Sequence, residues 1–519
     1  MATMNQVPRV GQGPAGSRPL FESPVQIVGA AVGSAAVVGF LLAHSVQYGV
    51  AVLVALLFLP IALLNLPLAI GLFVPLIYLE QVPGAARIPS GVALLIFMAW
   101  LGTLAGRGSL FAEVFRRHRG MYLLLLMLMA WITLSLLWAR DPGVAAGGLW
   151  QWYWAAGIVL VIPTALWTRR HVVVVCVGFV VGGLIAAMIT LPQISSGSST
   201  DYATRLGGDL INPNYFAAAL LSAAALAAGL MAVVRRPAHK KLLLAALALA
   251  IVAIFATGSR GGLLAGLVMI AAAFALMRRQ RLRVGVIVAV GLVLGTLWVS
   301  SSDSTLSRLR DFNTSGTGRV DLWTVALRMW EDHPVNGVGF MNFPTVSRDY
   351  IMQPGQLSTE FIITEPKETH NAYLGLLAEN GVIGLALFLA LAIALIRVTW
   401  QAARRLDEAG DSSFATLARA IGIAQIGALA ALMFTHNTYN NALWILLALG
   451  PVLLTVAERT PVIEAENVRR DRELIEAGST RGPDVPPRVT NPSSSAAPSE
   501  GPPHPARRAA PALRRSSTW

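Results

Sequence analysis

Charge is what this chain of 519 residues has least of. Only 13% of it is Asp, Glu, Lys or Arg, against 55% hydrophobic residues. A water-facing globular surface takes about 25% charged residues, so the soluble enzyme folds are excluded at once. The mean hydropathy of +0.61 agrees. Cysteine is nearly missing too. Cys176 stands alone inside the apolar run 172–181, so no internal disulfide and no cysteine-built metal site is available. No HExxH or comparable histidine spacing occurs, and a zinc site takes three or four converging ligands. Neither a metal nor a cofactor is therefore expected. A signal peptide is not expected either: about 24 polar residues with Pro and Gly precede the first apolar run, and no small-residue cleavage pattern follows.

What the chain has in excess is apolar runs of about 20 residues, the length that crosses a bilayer. They fall at 25–44, 48–64, 66–79, 89–105, 120–138, 151–167, 172–191, 214–234, 242–257, 261–277, 284–300, 371–396, 420–435 and 440–456. The expected fold is an all-α polytopic membrane protein with about 14 transmembrane helices. The run 66–79 is short and holds Pro67 and Pro75, and the break around Gly258 and Gly261 reads either way, so 12 or 13 spans stay open.

The net charge of +13 is not a nucleic-acid signal, because the basic residues sit in short clusters between apolar runs. With the N-terminus in the cytoplasm, inner loops carry eighteen Lys and Arg. Short outer loops carry four, Arg87, Arg140, Arg205 and Arg260. The positive-inside rule then gives a multi-pass protein of the cytoplasmic (inner) membrane with both termini cytoplasmic. The expected organisation is a cytoplasmic segment 1–24, eleven spans over 25–300, an extracytoplasmic loop 301–369, three spans over 370–456 and a cytoplasmic tail 457–519. The tail holds ten prolines and lacks apolar periodicity after Glu476, which reads as disorder. Its basic end, from Arg507 to Arg515, has anionic lipid as an alternative to plain solvation.

The loop of 69 residues is net −3, and segments this long cross the membrane largely regardless of charge. Residues 321–332 predict a short amphipathic helix with Leu322, Val325 and Met329 on one side. Two readings stand together: packing at the membrane interface, or a lid over a substrate groove.

Ionisable residues in or beside spans are functional candidates because burial is costly. Within the spans Glu379 is the clear case, read as a carboxylate paired with an outer arginine or as a catalytic group. The others gather at outer ends of spans: Arg205, Arg260 among Gly258, Ser259, Gly261 and Gly262, Arg319 after Gly316 and Gly318, and His370 with Asn371. A guanidinium presents a planar fork that suits phosphate oxygens, and glycine neighbours allow close backbone approach. Two or three such arginines suit a lipid diphosphate; a headgroup contact or structural ion pair is the alternative for each. His370 is either a proton-exchanging group or a structural imidazole at a helix start.

Residues 370–384 read HNAYLGLLAENGVIG, that is His370 and Asn371, nine residues, then Gly381-x-x-Gly384. This resembles the motif that follows the large periplasmic loop in the O-antigen ligase and O-antigen polymerase family. Three further pieces agree: Gly258 to Gly262 with Arg260 between; Arg319, Val320, Asp321, Leu322 and Trp323; and His333 with Pro334 followed by Gly337, Val338 and Gly339. The likeness in order and spacing covers about 250–390. It implies a GT-C-like fold and a metal-independent, inverting glycosyltransferase. The donor would be a glycan on a polyprenyl diphosphate, undecaprenyl in the family, and the acceptor a lipid, glycan or protein hydroxyl on the outer face. Residue by residue, the resemblance makes Arg260 and Arg319 the diphosphate-binding arginines, with Arg205 a further candidate. It makes His370 the catalytic histidine, with Asn371, Gly381 and Gly384 supporting it. Two features depart from the family pattern: a higher span count and a long Arg-, Ala- and Pro-rich tail. Ligase and polymerase share this donor chemistry. A polysaccharide flippase is the rival of another class, but it needs charged residues facing a central cavity and short outer loops.

Overall fold

A computed structural model describes residues 45–81, 87–190, 212–301, 319–353 and 368–459. The expected span at 25–44, Arg205, and the tail from 460 onward lie outside the described residues. The chain divides at Ile463 into two units, and only the first contains described residues. Among these, all regular structure is helical.

In chain order the helices are α1 (Val46–Leu64), α2 (Leu66–Ile77), α3 (Arg87–Arg117), α4 (Arg119–Leu134), α5 (Pro142–Ala165), α6 (Arg169–Thr190), α7 (Pro213–Val233) and α8 (Pro237–Ala256). They continue as α9 (Arg260–Leu276), α10 (Arg281–Ser301), α11 (Arg319–Asp332), α12 (Phe343–Ile351), α13 (Ala372–Glu408), α14 (Ser412–Ala431) and α15 (Asn441–Arg459). Every expected span from 48 onward coincides with one of them. Nine helices among the described residues are long and apolar enough to cross a membrane, and four apolar ones are shorter: Val52–Leu64, Leu66–Ile77, Ile88–Leu104 and Arg260–Leu276. The chain is thus an all-helical, multi-pass membrane protein.

The ambiguous break at Gly258 is two helices. Gly258 takes a φ of 56°, and Ser259 Oγ accepts from Gly262 N at 3.0 Å, capping α9. Helix α5 begins nine residues before the expected 151. Pro142 fills its first turn, and the Asp141 carboxylate accepts from Gly143 N and Val144 N, a standard N-terminal cap.

One end of the bundle is ionic. Arg117 after α3 and Arg405 in α13 both pair with Glu458 at the end of α15. Arg419 pairs with Asp407, and Arg169 with Asp411 at 2.8 Å. Gln280 Nε2 donates to Thr416 Oγ1 at 2.6 Å. Four segments that carry basic clusters in the sequence therefore meet on one face. These pairs fix loop geometry more than they add stability, since half-exposed ion pairs contribute about 0–1 kcal/mol each.

Helix α13 organises the opposite end. Its 37 residues span about 56 Å, against about 30 Å of hydrocarbon. The excess lies at both ends: the Arg405 end joins the ionic face, and the Ala372 end carries the outer loop.

Candidate functional site

The loop is bolted to α13 through main-chain groups. Gly381 leaves the helix with φ 65° and ψ −171°, which frees carbonyls in the turn before it. Val338 N donates to Ala378 O and Gly339 N to Glu379 O, each at 2.9 Å, and Trp131 Nε1 donates to Asn380 O at 2.9 Å. In return Val382 N donates to Pro334 O at 2.9 Å. The contact is so close that a Cβ on Gly381 would lie 2.1 Å from Val335 O. Gly384 is tight for a different reason: a Cβ there would meet Asn380 Cβ at 2.3 Å. Of the Gly381-x-x-Gly384 pattern, Gly381 seats the loop and Gly384 makes room for Asn380 and Trp131. Gly381→Ala combines a left-handed φ with a clash against backbone. We expect it to lower thermal stability in detergent by at least about 2–3 kcal/mol. Gly410→Ala is the control, with φ 80° and open space around its Cβ; it should cost about 1–2 kcal/mol. Equal melting temperatures for the two variants would mean that the loop does not press on Gly381.

The turn between α4 and α5 grips the same loop. Asn342 Oδ1 accepts from Asp141 N at 2.7 Å, Ser135 Oγ accepts from Phe340 N at 3.2 Å, and Trp138 Nε1 donates to Asn336 O at 3.1 Å. Glu379 belongs to this framework. Its Oε1 accepts from Phe343 N at the start of α12, at 3.1 Å, so its partner is a helix N-terminus and not an outer arginine as one reading expected. The amphipathic helix forms as α11, and His333 with Pro334 follows its end. Its Leu322, Val325 and Met329 pack with Val338, Phe343 and Ala378. That face lies on protein.

Above this frame three helix N-termini come together. Asn212 caps α7 by accepting from Asn214 N at 2.9 Å. Ser259 caps α9 and donates through Oγ to Asn214 Oδ1 at 2.7 Å. Asn371 caps α13 by accepting from Tyr373 N and Leu374 N at 3.1 and 3.2 Å. All three caps are neutral, so they leave the positive ends of the helix dipoles uncancelled.

His370 stands at the start of α13 with φ 49°, a left-handed conformation that costs a non-glycine residue about 1–3 kcal/mol and concentrates at functional positions. Its ring meets that of His436, centroids 5.8 Å apart and planes at 68°. The His436 ring also meets Tyr215, again at 5.8 Å. Tyr215 Oη accepts from His436 N at 3.4 Å and lies 3.1 Å from His436 Nδ1. The tyrosine hydroxyl and Nδ1 share one hydrogen bond whose donor is set by the imidazole tautomer. Burial, and then the neighbouring His370, push the His436 imidazole down to about 4. It is neutral at physiological pH.

Arg260 opens α9 beside this group: a Cβ on the next residue, Gly261, would press on the Phe434 side chain, two residues from His436. Arg319 opens α11, at the end remote from the Pro334 and Val382 pin. Both arginines make polar or charged contacts. The site thus brings His370, Asn371 and Arg260 around His436 and Tyr215, while Gly381 and Gly384 lie below as scaffold. Arg205 lies outside the described residues. Tyr215 and His436 were not expected as a pair; 221 positions separate them, and only the outer-end location of each is readable from the sequence. Among the described residues no group of three or more His, Cys, Asp or Glu is placed to hold a metal ion.

Residues 245–389 match the family model described as O-antigen ligase. The match supports the O-antigen ligase and polymerase family for this domain. The matched stretch runs from within α8 to within α13 and contains Arg260, Arg319, His370, Asn371, Gly381 and Gly384; Tyr215 and His436 fall outside it. No curated protein matches the chain. For a multi-pass membrane protein, the match suggests a glycosyltransferase-type activity, the transfer or polymerisation of glycans.

Proposed function

We propose that the protein transfers a glycan from a polyprenyl-diphosphate carrier to an acceptor hydroxyl on the outer face of the cytoplasmic membrane, on a GT-C-like scaffold. The observation that carries this reading is the meeting of three neutrally capped helix N-termini around His370. Helix N-termini attract phosphate oxygens through their free N–H groups and dipoles. The ionic face, with its basic clusters, is read as cytoplasmic, which sets His370 and the outer loop on the far side and both termini inside.

The chemistry follows from charge. A diphosphate leaves as an anion, so it needs electrostatic stabilisation more than a proton. Arg260 and Arg319 supply it with planar, permanently charged forks, and Arg205 is assigned to the same task. Imidazole exchanges protons near neutral pH, so His370 takes the proton from the acceptor hydroxyl as that oxygen attacks the anomeric carbon. One displacement inverts the anomeric centre. No step requires a metal or cofactor. Ligation and polymerisation differ only in what carries the hydroxyl.

Purified protein in detergent, given a polyprenyl-diphosphate glycan and an acceptor glycan, tests the reading. Transfer with inversion, undiminished by EDTA, is expected. Absence of transfer in the wild type would overturn the function, and arrest by EDTA would overturn the metal-free mechanism.

A further inference from the structure

One ring at the site has no task in the transfer chemistry. His436 lies beside His370 but comes from another part of the chain, the connection between α14 and α15. That connection is held firmly. Thr438 N donates to His436 O at 3.0 Å, and the buried Trp444 Nε1 donates to Thr438 O at 2.8 Å. Tyr373 Oη, in the first turn of α13, donates to Leu429 O at 2.7 Å, which fastens the start of α13 to the end of α14. The His436 ring is then gripped from α7. Tyr215 Oη accepts from its main-chain N–H and shares a hydrogen bond with its Nδ1.

The same end of α7 holds the arginine side. Asn214, next to Tyr215, accepts through Oδ1 from Ser259 Oγ at 2.7 Å, and Ser259 is the cap immediately before Arg260. Phe434 adds a second link, since it lies against Gly261, the residue after Arg260. A continuous path therefore runs from the start of α9 through Asn214, Tyr215 and His436 to the ring of His370.

We propose that Tyr215 and His436 are positioning residues: a strut that fixes the His370 imidazole relative to the start of α9, so that base and leaving group are held in register. The inference rests on the proposed function, in which His370 takes a proton and Arg260 meets the diphosphate. A single displacement needs the attacking oxygen and the leaving group aligned, and a misplacement of about 1 Å costs about 10²-fold in rate. The charge state of the strut suits the task. His370 becomes a cation when it accepts the proton, and a second imidazolium with its centroid 5.8 Å away would oppose that charge. Burial keeps His436 neutral. Tyr215 and His436 both fall outside the matched stretch 245–389, so the flanking helices supply the strut to a domain that carries the arginines and the base.

The test is a double-mutant cycle with a spectroscopic readout. Tyr215→Phe deletes one oxygen and keeps the ring contact with His436. His436→Phe keeps a ring against His370 and removes the bond to Tyr215. Each should lower kcat about 10–100-fold, with the donor KM within twofold of wild type. Both changes break the same link, so the double variant should be no slower than the slower single one. In a His370→Ala background Tyr215→Phe should cost nothing more, because no base is left to position. Independently of turnover, NMR of protein with isotope-labelled histidine identifies the His370 ring signal by its loss in His370→Ala, and Tyr215→Phe should shift it. Wild-type kcat in both single variants would overturn the strut. So would an equal loss from Tyr215→Phe with and without His370, or an unmoved His370 signal. A wild type that transfers no glycan, yet shows the shifted signal in Tyr215→Phe, would sink the proposed function and leave the strut standing as the support of that imidazole.

Discussion

His370→Ala is expected to reduce glycan transfer about 10²–10⁴-fold, the range that general-base assistance supplies, with little change in binding of the lipid-linked donor. Two features separate this from loss of a structural imidazole. The φ of 49° at His370 costs alanine what it costs any residue with a Cβ, so the backbone strain is unchanged and the protein should be about as stable. The adjacent Asn371 cap, which accepts from Tyr373 N and Leu374 N, does not use the imidazole. The expected result is a variant that inserts, melts like the wild type, binds donor and fails to turn over. His333→Ala, just past the end of α11, should be mild. Wild-type turnover in His370→Ala would make the imidazole a capping group and remove it from the chemistry.

The second large effect is expected from Arg260→Lys and Arg319→Lys. Lysine keeps the charge and loses the fork, so it cannot bridge two phosphate oxygens in one plane. Withdrawing one preorganised donor from a developing anion costs about 10²–10³ in rate, and each variant should lose about that much in kcat at near-normal protein level. Arg140→Lys is the comparison. Arg140 is largely exposed, 3.7 Å from Asp349, and its replacement should change the rate less than about threefold. Equal behaviour of all three variants would assign the arginines to topology or headgroup contact alone.

The sequence disclosed the spans because bilayer solvation leaves a strong signal: about twenty apolar residues in a row. It was poorer at helix ends, where the signal is polar and local. The cap made by Asp141 and Pro142 moved the start of α5, and α13 overran its expected end because its last turns lie in the ionic face. The motif residues were legible, but two roles were not. Gly381 and Gly384 read as part of a site; Gly381 acts as a seat for the loop, since the carbonyls its break frees are taken by Val338 and Gly339. Glu379 reads as an unexplained charge in a span, and it holds the start of α12. Neither follows without knowing which distant segment lies opposite. The same holds for Tyr215 and His436: one opens α7, the other follows α14, and no periodicity links them.

The seat on α13 also sets an order of assembly. The carbonyls of Ala378, Glu379 and Asn380 find their partners on segments made earlier, the loop at Val338 and Gly339 and the α4 residue Trp131. Until those segments are in position, the break at Gly381 leaves polar main chain without partners where the helix enters lipid, which is costly. The main chain in the first turns of α13 is therefore satisfied only once the loop is in position. His436 follows later still in the chain and closes over His370 from the other side. In chain order Arg260 and Arg319 precede His370 and His436, so incomplete chains hold the charge but not the base.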